Sequence, residues 1–288
     1  MGKVTRIDRP IRDTLGEGAL WCARDGAFYW VDILAPALNR LVLETGAITR
    51  WTMPEPLGWV VEHATGGFIG GFRSGVARIT LDPLSIGPRH GPEPHLPGNR
   101  MNDGKADSQG AIWCGTMDML EEQASGSLWR LSPSGQWRQM DSGYMVPNGP
   151  GISPCGRWLY HADSARQVIY RFERREDGVK NRQIFITFGK EDGYPDGMNC
   201  DAQGYLWVAH WDGGRISRFA PDGTLDRAIP MPARRITNMA FCGDGLDRLF
   251  VTSAGIGMPP TENDGAIFEV ETGVTGNPAY PYAGSISV

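Results

Sequence analysis

The chain has little that would build a long helix. Its 39 glycines and 21 prolines are spread through 288 residues, and each such residue weakens or breaks an intrahelical hydrogen-bond ladder. It also lacks long apolar runs. Nowhere do about 18 apolar residues follow one another, the length a spanning helix needs, and the opening MGKVTRIDRP has no apolar core of a secretory signal. Gly2 follows Met1, but Arg6 stands where a myristoylation motif wants Ser or Thr. Basic clusters are missing too: Lys and Arg are scattered and the net charge is -5, so no footprint for nucleic acid or anionic lipid is visible. Paired cysteines are absent. Cys22, Cys114, Cys155, Cys200 and Cys242 are an odd number at wide spacing with no C-x-x-C, which suits reduced thiols used as small core residues in a cytoplasmic protein. The partner left by these exclusions is a small molecule.

What the chain does have is 10 tryptophans, tight-turn residues and a repeat. A turn glycine followed by an aromatic-rich strand recurs six times: DGAFYWVD, GGFIGG, QGAIWCGT, CGRWLYHAD, QGYLWVAH and DRLFVTS. With Gly26, Gly66, Gly110, Gly156, Gly204 and Gly245 as anchors, the spacings are 40, 44, 46, 48 and 41 residues. Each copy is followed by a strand with period-two alternation, such as ALNRLVLETG and GRISRFAPDG, and in several repeats by a shorter one. Each is preceded by a segment of small and apolar residues, such as GEGALW and NGPGIS. Four strands per roughly 40 to 45 residues is the period of a propeller blade, so the chain reads as all-β, a six-bladed β-propeller occupying 1–288 as one domain. Residues 3–8 are left over at the N-terminus, and their expected place is the outer strand of the last blade, closing the ring.

The register of the repeat points to the channel. Eight residues before Gly110, Gly156 and Gly204 stand Asn102, Asn148 and Asp196; nine before Gly26 stands Glu17, and seven before Gly245 and Gly66 stand Asn238 and Trp59. Five of these six positions carry an acid or amide, although the strands are otherwise small and apolar. Innermost strands line a propeller's axis, and oxygens converging there repel or go unsatisfied unless something bridges them. A divalent cation is the simplest bridge. All-oxygen ligation favours Ca²⁺, Mg²⁺ or Mn²⁺ over a structural zinc site. Asn-Gly and Asp-Gly pairs also make turns, but their recurrence at one register outweighs that reading. Trp59, and Tyr194 beside Asp196, are expected as apolar walls. His161 and His210 read as packing residues, and Trp113, Trp129, Trp158 and Trp207 as core between blades.

The segments LGEGALW, NRMNDGKAD with GTMD after it, NGPGISPCGRWLYHAD and PDGMNCDAQGYLWVA together resemble the senescence marker protein, gluconolactonase and luciferin-regenerating enzyme family, and they span most of the chain. The resemblance implies that Glu17, Asn148 and Asp196 ligate the metal, that Arg100 and Asn102 hold substrate, and that Asp196 is the general base. It also implies an acidic residue near substrate after the GTM segment, where Asp118, Glu121 and Glu122 all compete and Glu121 is favoured. The implied activity is metal-dependent opening of a sugar lactone, an aldonolactone such as glucono-, xylono-, arabino- or galactonolactone, with the metal polarising the lactone carbonyl. Calcium fits the ligand type, with Zn²⁺, Mn²⁺, Mg²⁺ or Fe²⁺ as alternatives, and the resemblance implies calcium, zinc, manganese or iron. Competing readings are a propeller hydrolase of other esters or organophosphates, and a non-catalytic calcium-binding propeller. The loops Leu84 to Gly98 and Met119 to Ser125 are expected to rim the site, and the protein to be a monomer or weak homo-oligomer.

Overall fold

A computed structural model describes residues 2–257 and 261–285; of the expected span 1–288, residues 1, 258–260 and 286–288 lie outside the described residues. The architecture is the six-bladed propeller read from the repeat. Six four-stranded antiparallel sheets follow one another along the chain. The first runs from Gly16–Cys22 to Ile48–Thr52, the second from Leu57–Glu62 to Leu84–Ile86, and the third from Asn99–Ala106 to Trp137–Tyr144. The fourth runs from Pro147–Ile152 to Gly178–Thr187 and the fifth from Tyr194–Cys200 to Leu225–Pro230. In the sixth, Ile236–Cys242, Arg248–Ser253 and Phe268–Glu271 are completed by Val4–Arg6, which pairs antiparallel with Phe268, Glu269 and Val270. No helix among the described residues is long and apolar enough to cross a membrane.

The alternation of each strand places apolar side chains between blades rather than at the axis. Six apolar clusters result, and each joins two neighbouring blades. Leu20, Tyr29 and Val31 of the first blade meet Leu57, Val60 and Phe68 of the second; Tyr144 of the third meets Leu159 and Phe172 of the fourth. A core divided into six wedges leaves the axis free for polar groups. Trp113 and Trp207 are fully buried in these wedges, whereas Trp129 and Trp158 are only partly buried. Four cysteines are buried and Cys155 is exposed, so it is not a core residue.

Turns on the face away from the site explain the repeat. In five blades the glycine anchors hold positive φ, from 57° at Gly26 to 98° at Gly66, a region costly for residues with a Cβ. In the sixth blade the equivalent position is Leu246, with φ 50°, whose N–H bonds the Gly243 carbonyl as that of Gly204 bonds Asp201. The sixth anchor is therefore one residue later than Gly245. Counting eight back from Leu246 still reaches Asn238.

Two of these turns are held by buried aspartates. Asp201 accepts Gln203 N (3.0 Å), Tyr205 N (3.1 Å), Trp207 Nε1 (2.9 Å) and Arg218 Nε (2.7 Å). Asp107 accepts the equivalent set, Gln109 N (2.8 Å), Ala111 N (3.1 Å), Trp113 Nε1 (2.7 Å) and Arg174 Nη1 (2.6 Å). Because Arg174 comes from the fourth blade and Asp107 from the third, that ion pair also ties two blades together.

Candidate functional site

In five of the six innermost strands the pairing slips: two residues face one on the next strand, the signature of a β-bulge. A bulge turns side chains out of the regular alternation, and here it turns them toward the axis. Glu17 and Asn148 pair just before the bulge, Asn102 and Asp196 are its first residue, and Asp103 and Asn238 its second. The polar ring is thus three successive positions, not the single register expected from spacing. In the second blade the slip is one residue, at Gly58, and Trp59 returns to the regular pairing opposite Gly71.

Trp59 accordingly does not form a wall of the site. It is fully buried between the second and third blades, where a Cβ on Gly71 or on Gly104 would overlap the indole.

Glu17, Arg100, Asn102, Glu121, Asn148 and Asp196 all line one cavity of about 430 Å³. They arrive from the first, third, fourth and fifth blades. Apolar walls come from Leu15, Ile33, Val146, Tyr194 and Trp211. Of the three acids after the GTM segment, Glu121 faces the cavity, from the left-handed region at φ 57°. Asp118 instead holds the loop, accepting Glu122 N at 3.0 Å and Gln123 N at 3.2 Å, and Glu122 is exposed.

Hydrogen bonds connect the wall. Arg100 Nη1 donates to Asn102 Oδ1 (2.7 Å) and to the Met101 carbonyl (3.0 Å). Asn102 Nδ2 donates to the Pro147 carbonyl (2.7 Å) and Asn148 Oδ1 (3.0 Å), and Asn148 Nδ2 donates to Ser164 Oγ (2.9 Å). These contacts fix both amides, and the Asn148 oxygen, which accepts once, keeps a lone pair free.

Below them Asn238 Nδ2 bridges Glu17 Oε2 (3.0 Å) and Asp103 Oδ2 (3.3 Å). Asp103 also accepts Gly104 N (2.7 Å) and Gly149 N (3.2 Å). Asp103 had no role assigned from sequence. The available signal was the NDG tripeptide itself, in which Asp103 follows Asn102, but only the two-residue bulge turns both side chains inward. Lys105, two residues after Asp103 on that strand, donates Nζ to the Met198 carbonyl at 2.6 Å.

Three acids, Glu17, Asp103 and Asp196, are each less than a tenth exposed. Burial pushes the Glu17 carboxyl up to about 8, with Asp103 adding to the rise. Burial first, then Glu17 and Asp103, raise Asp196 well above the usual carboxylate range. Asp103 is raised by burial and pulled back chiefly by Lys105. With Arg100 and Lys105 the only basic side chains among these groups, the axis carries more acid than base. That excess is what a divalent cation neutralises. Among the described residues no three His, Cys, Asp or Glu side chains gather at metal-binding spacing; Glu17 and Asp196 with the Asn148 amide oxygen are the cavity-lining oxygens that could hold a cation, a hard all-oxygen set.

The buried His161 and His210 lie off the axis. His161 packs against Tyr144 with ring centroids 4.9 Å apart, and burial lowers it to about 3. His210 stacks on Phe188 at 4.5 Å.

The chain belongs to the family described as SMP-30/Gluconolactonase/LRE-like region, whose pattern matches residues 15–255. It is 36% identical over 243 residues to a 6-deoxy-6-sulfogluconolactonase of Pseudomonas putida, covering 83% of each chain. It is 31% identical to a pentonolactonase of Haloferax volcanii, covering 96% of this chain and 97% of that one. A solved structure of a calcium-binding protein, regucalcin, from Agrobacterium tumefaciens superposes with a TM-score of 0.91 at 27% identity, covering 96% of both chains.

Proposed function

We propose that this member of the family opens the lactone of a sugar acid, with a divalent cation held by Glu17, Asn148 and Asp196. The observation that carries the reading is the convergence of six side chains from four blades on one cavity of about 430 Å³, a volume suited to a small ligand. Relatives that act on a sulfogluconolactone and on pentonolactones support the substrate class, and the calcium-binding neighbour supports Ca²⁺. The five unpaired thiols suit a reducing cytoplasm.

A lactone is a cyclic ester, and water attacking its carbonyl builds negative charge on the oxygen. When bound, the cation supplies Lewis-acid stabilisation of that charge. Arg100 offers a planar fork of donors to ring and hydroxyl oxygens, and its tie to Asn102 keeps both pointing into the cavity. Glu121 accepts from substrate hydroxyls at the mouth. Asp196 would take the proton of the attacking water through the carboxylate oxygen that the cation does not engage. Tyr194 and Trp211 give the sugar's carbon face something to lie against.

The decisive experiment is acid release from gluconolactone and pentonolactones in a pH-stat, with EDTA and after restoring Ca²⁺, Zn²⁺, Mn²⁺ or Mg²⁺. Turnover that EDTA abolishes and a divalent cation restores is expected. Absence of metal-dependent acid release from every lactone tried would overturn the proposal in favour of a non-catalytic cation binder.

A further inference from the structure

A second cavity, of about 240 Å³, adjoins the first and shares Arg100 as a wall. It lies on the same face of the ring, because the Arg73–Ser74 turn joins the second and third strands of its blade as the Glu121 loop does in the next. Three arginines line it: Arg73, Arg89 and Arg100.

The cavity is built by ordered chain. The Pro-rich segment after Leu84–Ile86 is pinned by two backbone bonds of 2.9 Å between Val76 and His90, and Arg89 lies 4.1 Å over the Phe72 ring. Two acids border it, and both are already engaged. Glu55 pairs with Arg89 at 3.0 Å and accepts Ser74 Oγ at 2.6 Å. Glu93 accepts Thr116 Oγ1, Trp129 Nε1 and Asn99 Nδ2, each at 2.8 Å. Arg73 and Arg100 have no carboxylate within 4.0 Å among the described residues.

The first cavity has the opposite balance, with Glu17, Glu121 and Asp196 against Arg100. A second anionic group on a bound lactone is repelled there and attracted across Arg100 to the arginine-lined cavity. We propose that this cavity is a subsite for such a group: the preferred lactone carries a carboxylate, sulfonate or phosphate remote from the ring carbonyl, held by Arg73 beside Arg100, the two lining arginines with no carboxylate partner. The planar guanidinium fork matches all three anions. This assignment rests on the lactonase reading and names the substrate class within it.

The test compares kcat/KM for gluconolactone with that for a glucarolactone, whose far end is a carboxylate, and for a gluconolactone bearing a terminal phosphate. The charged lactones are expected to be preferred, and Arg73→Ala to lower the charged-to-neutral ratio about tenfold through KM, with Arg73→Glu lowering it further and Arg73→Lys restoring part of it. Added salt should raise KM for the charged lactones far more than for gluconolactone. Turnover of gluconolactone without preference for either charged lactone, or a ratio that neither Arg73→Ala nor Arg73→Glu moves, overturns the subsite and leaves the lactonase reading standing. If no lactone turns over, the lactonase reading fails, and calorimetry with gluconate against phosphogluconate then decides whether the cavity selects a second anion.

Discussion

The propeller buries two sets of acids, and they differ in what surrounds them. Asp107 and Asp201, in turns on the face away from the site, each accept four donors, including an arginine and an indole N–H. Glu17, Asp103 and Asp196, at the axis, are also buried, and burial pushes each of their carboxyls up, with neighbouring acids adding to the rise at Glu17 and Asp196. Burial therefore does not distinguish a structural carboxylate from a functional one; the supply of donors does. The first set spends its charge on holding turns and joining blades. On the proposed reading, the second set keeps its oxygens available for a ligand.

This comparison predicts opposite consequences for removing an acid. At the axis, Asp196→Asn should cut lactone hydrolysis by about a hundredfold or more, while its melting temperature stays at or above that of the parent, because an unfavourable buried charge is gone. A variant with parent-like turnover would remove Asp196 from the chemistry. In the turns, Asp201→Ala should cost about 3–5 kcal/mol in urea unfolding, because Arg218, 3% exposed, loses its buried partner. Its folded fraction should keep the parent's kcat. A loss of kcat without a loss of stability would blur the two sets.

Smaller effects sharpen the same line. Arg100→Ala should raise KM about tenfold while changing cation affinity less, as read by calorimetry with Ca²⁺; an equal change in both would move Arg100 from substrate to the cation's support. Removing residues 1–7, which deletes Val4–Arg6 but keeps the buried Arg9–Asp13 pair, should lower the melting temperature by several degrees with kcat preserved. An unchanged melting temperature would show that the fourth strand of the last blade adds little to ring closure.

The repeat was readable because turn glycines and alternating strands obey local rules. Gly26, Gly66, Gly110, Gly156 and Gly204 hold a backbone conformation that other residues avoid, so the blade period is written in residue type. Leu246 broke the pattern: it adopts the same conformation without being glycine, and the sixth anchor was displaced by one residue. Trp59 shows a second limit. Its spacing matched the axial positions, but a slip confined to Gly58 returned it to the regular pairing and so to the wedge between blades.

By itself, then, the sequence determined the number of blades, the all-β character and the amide and acid positions near the axis, since strand period and turn chemistry act over a few residues. Only the tertiary structure decided which side chains share a cavity, that Asp103 and Asn238 lie beneath Glu17, and that three arginines gather beside the site. The physical reason is the bulge: one extra residue per strand redirects a side chain, and which way it points depends on pairing with a neighbour that the linear pattern does not contain.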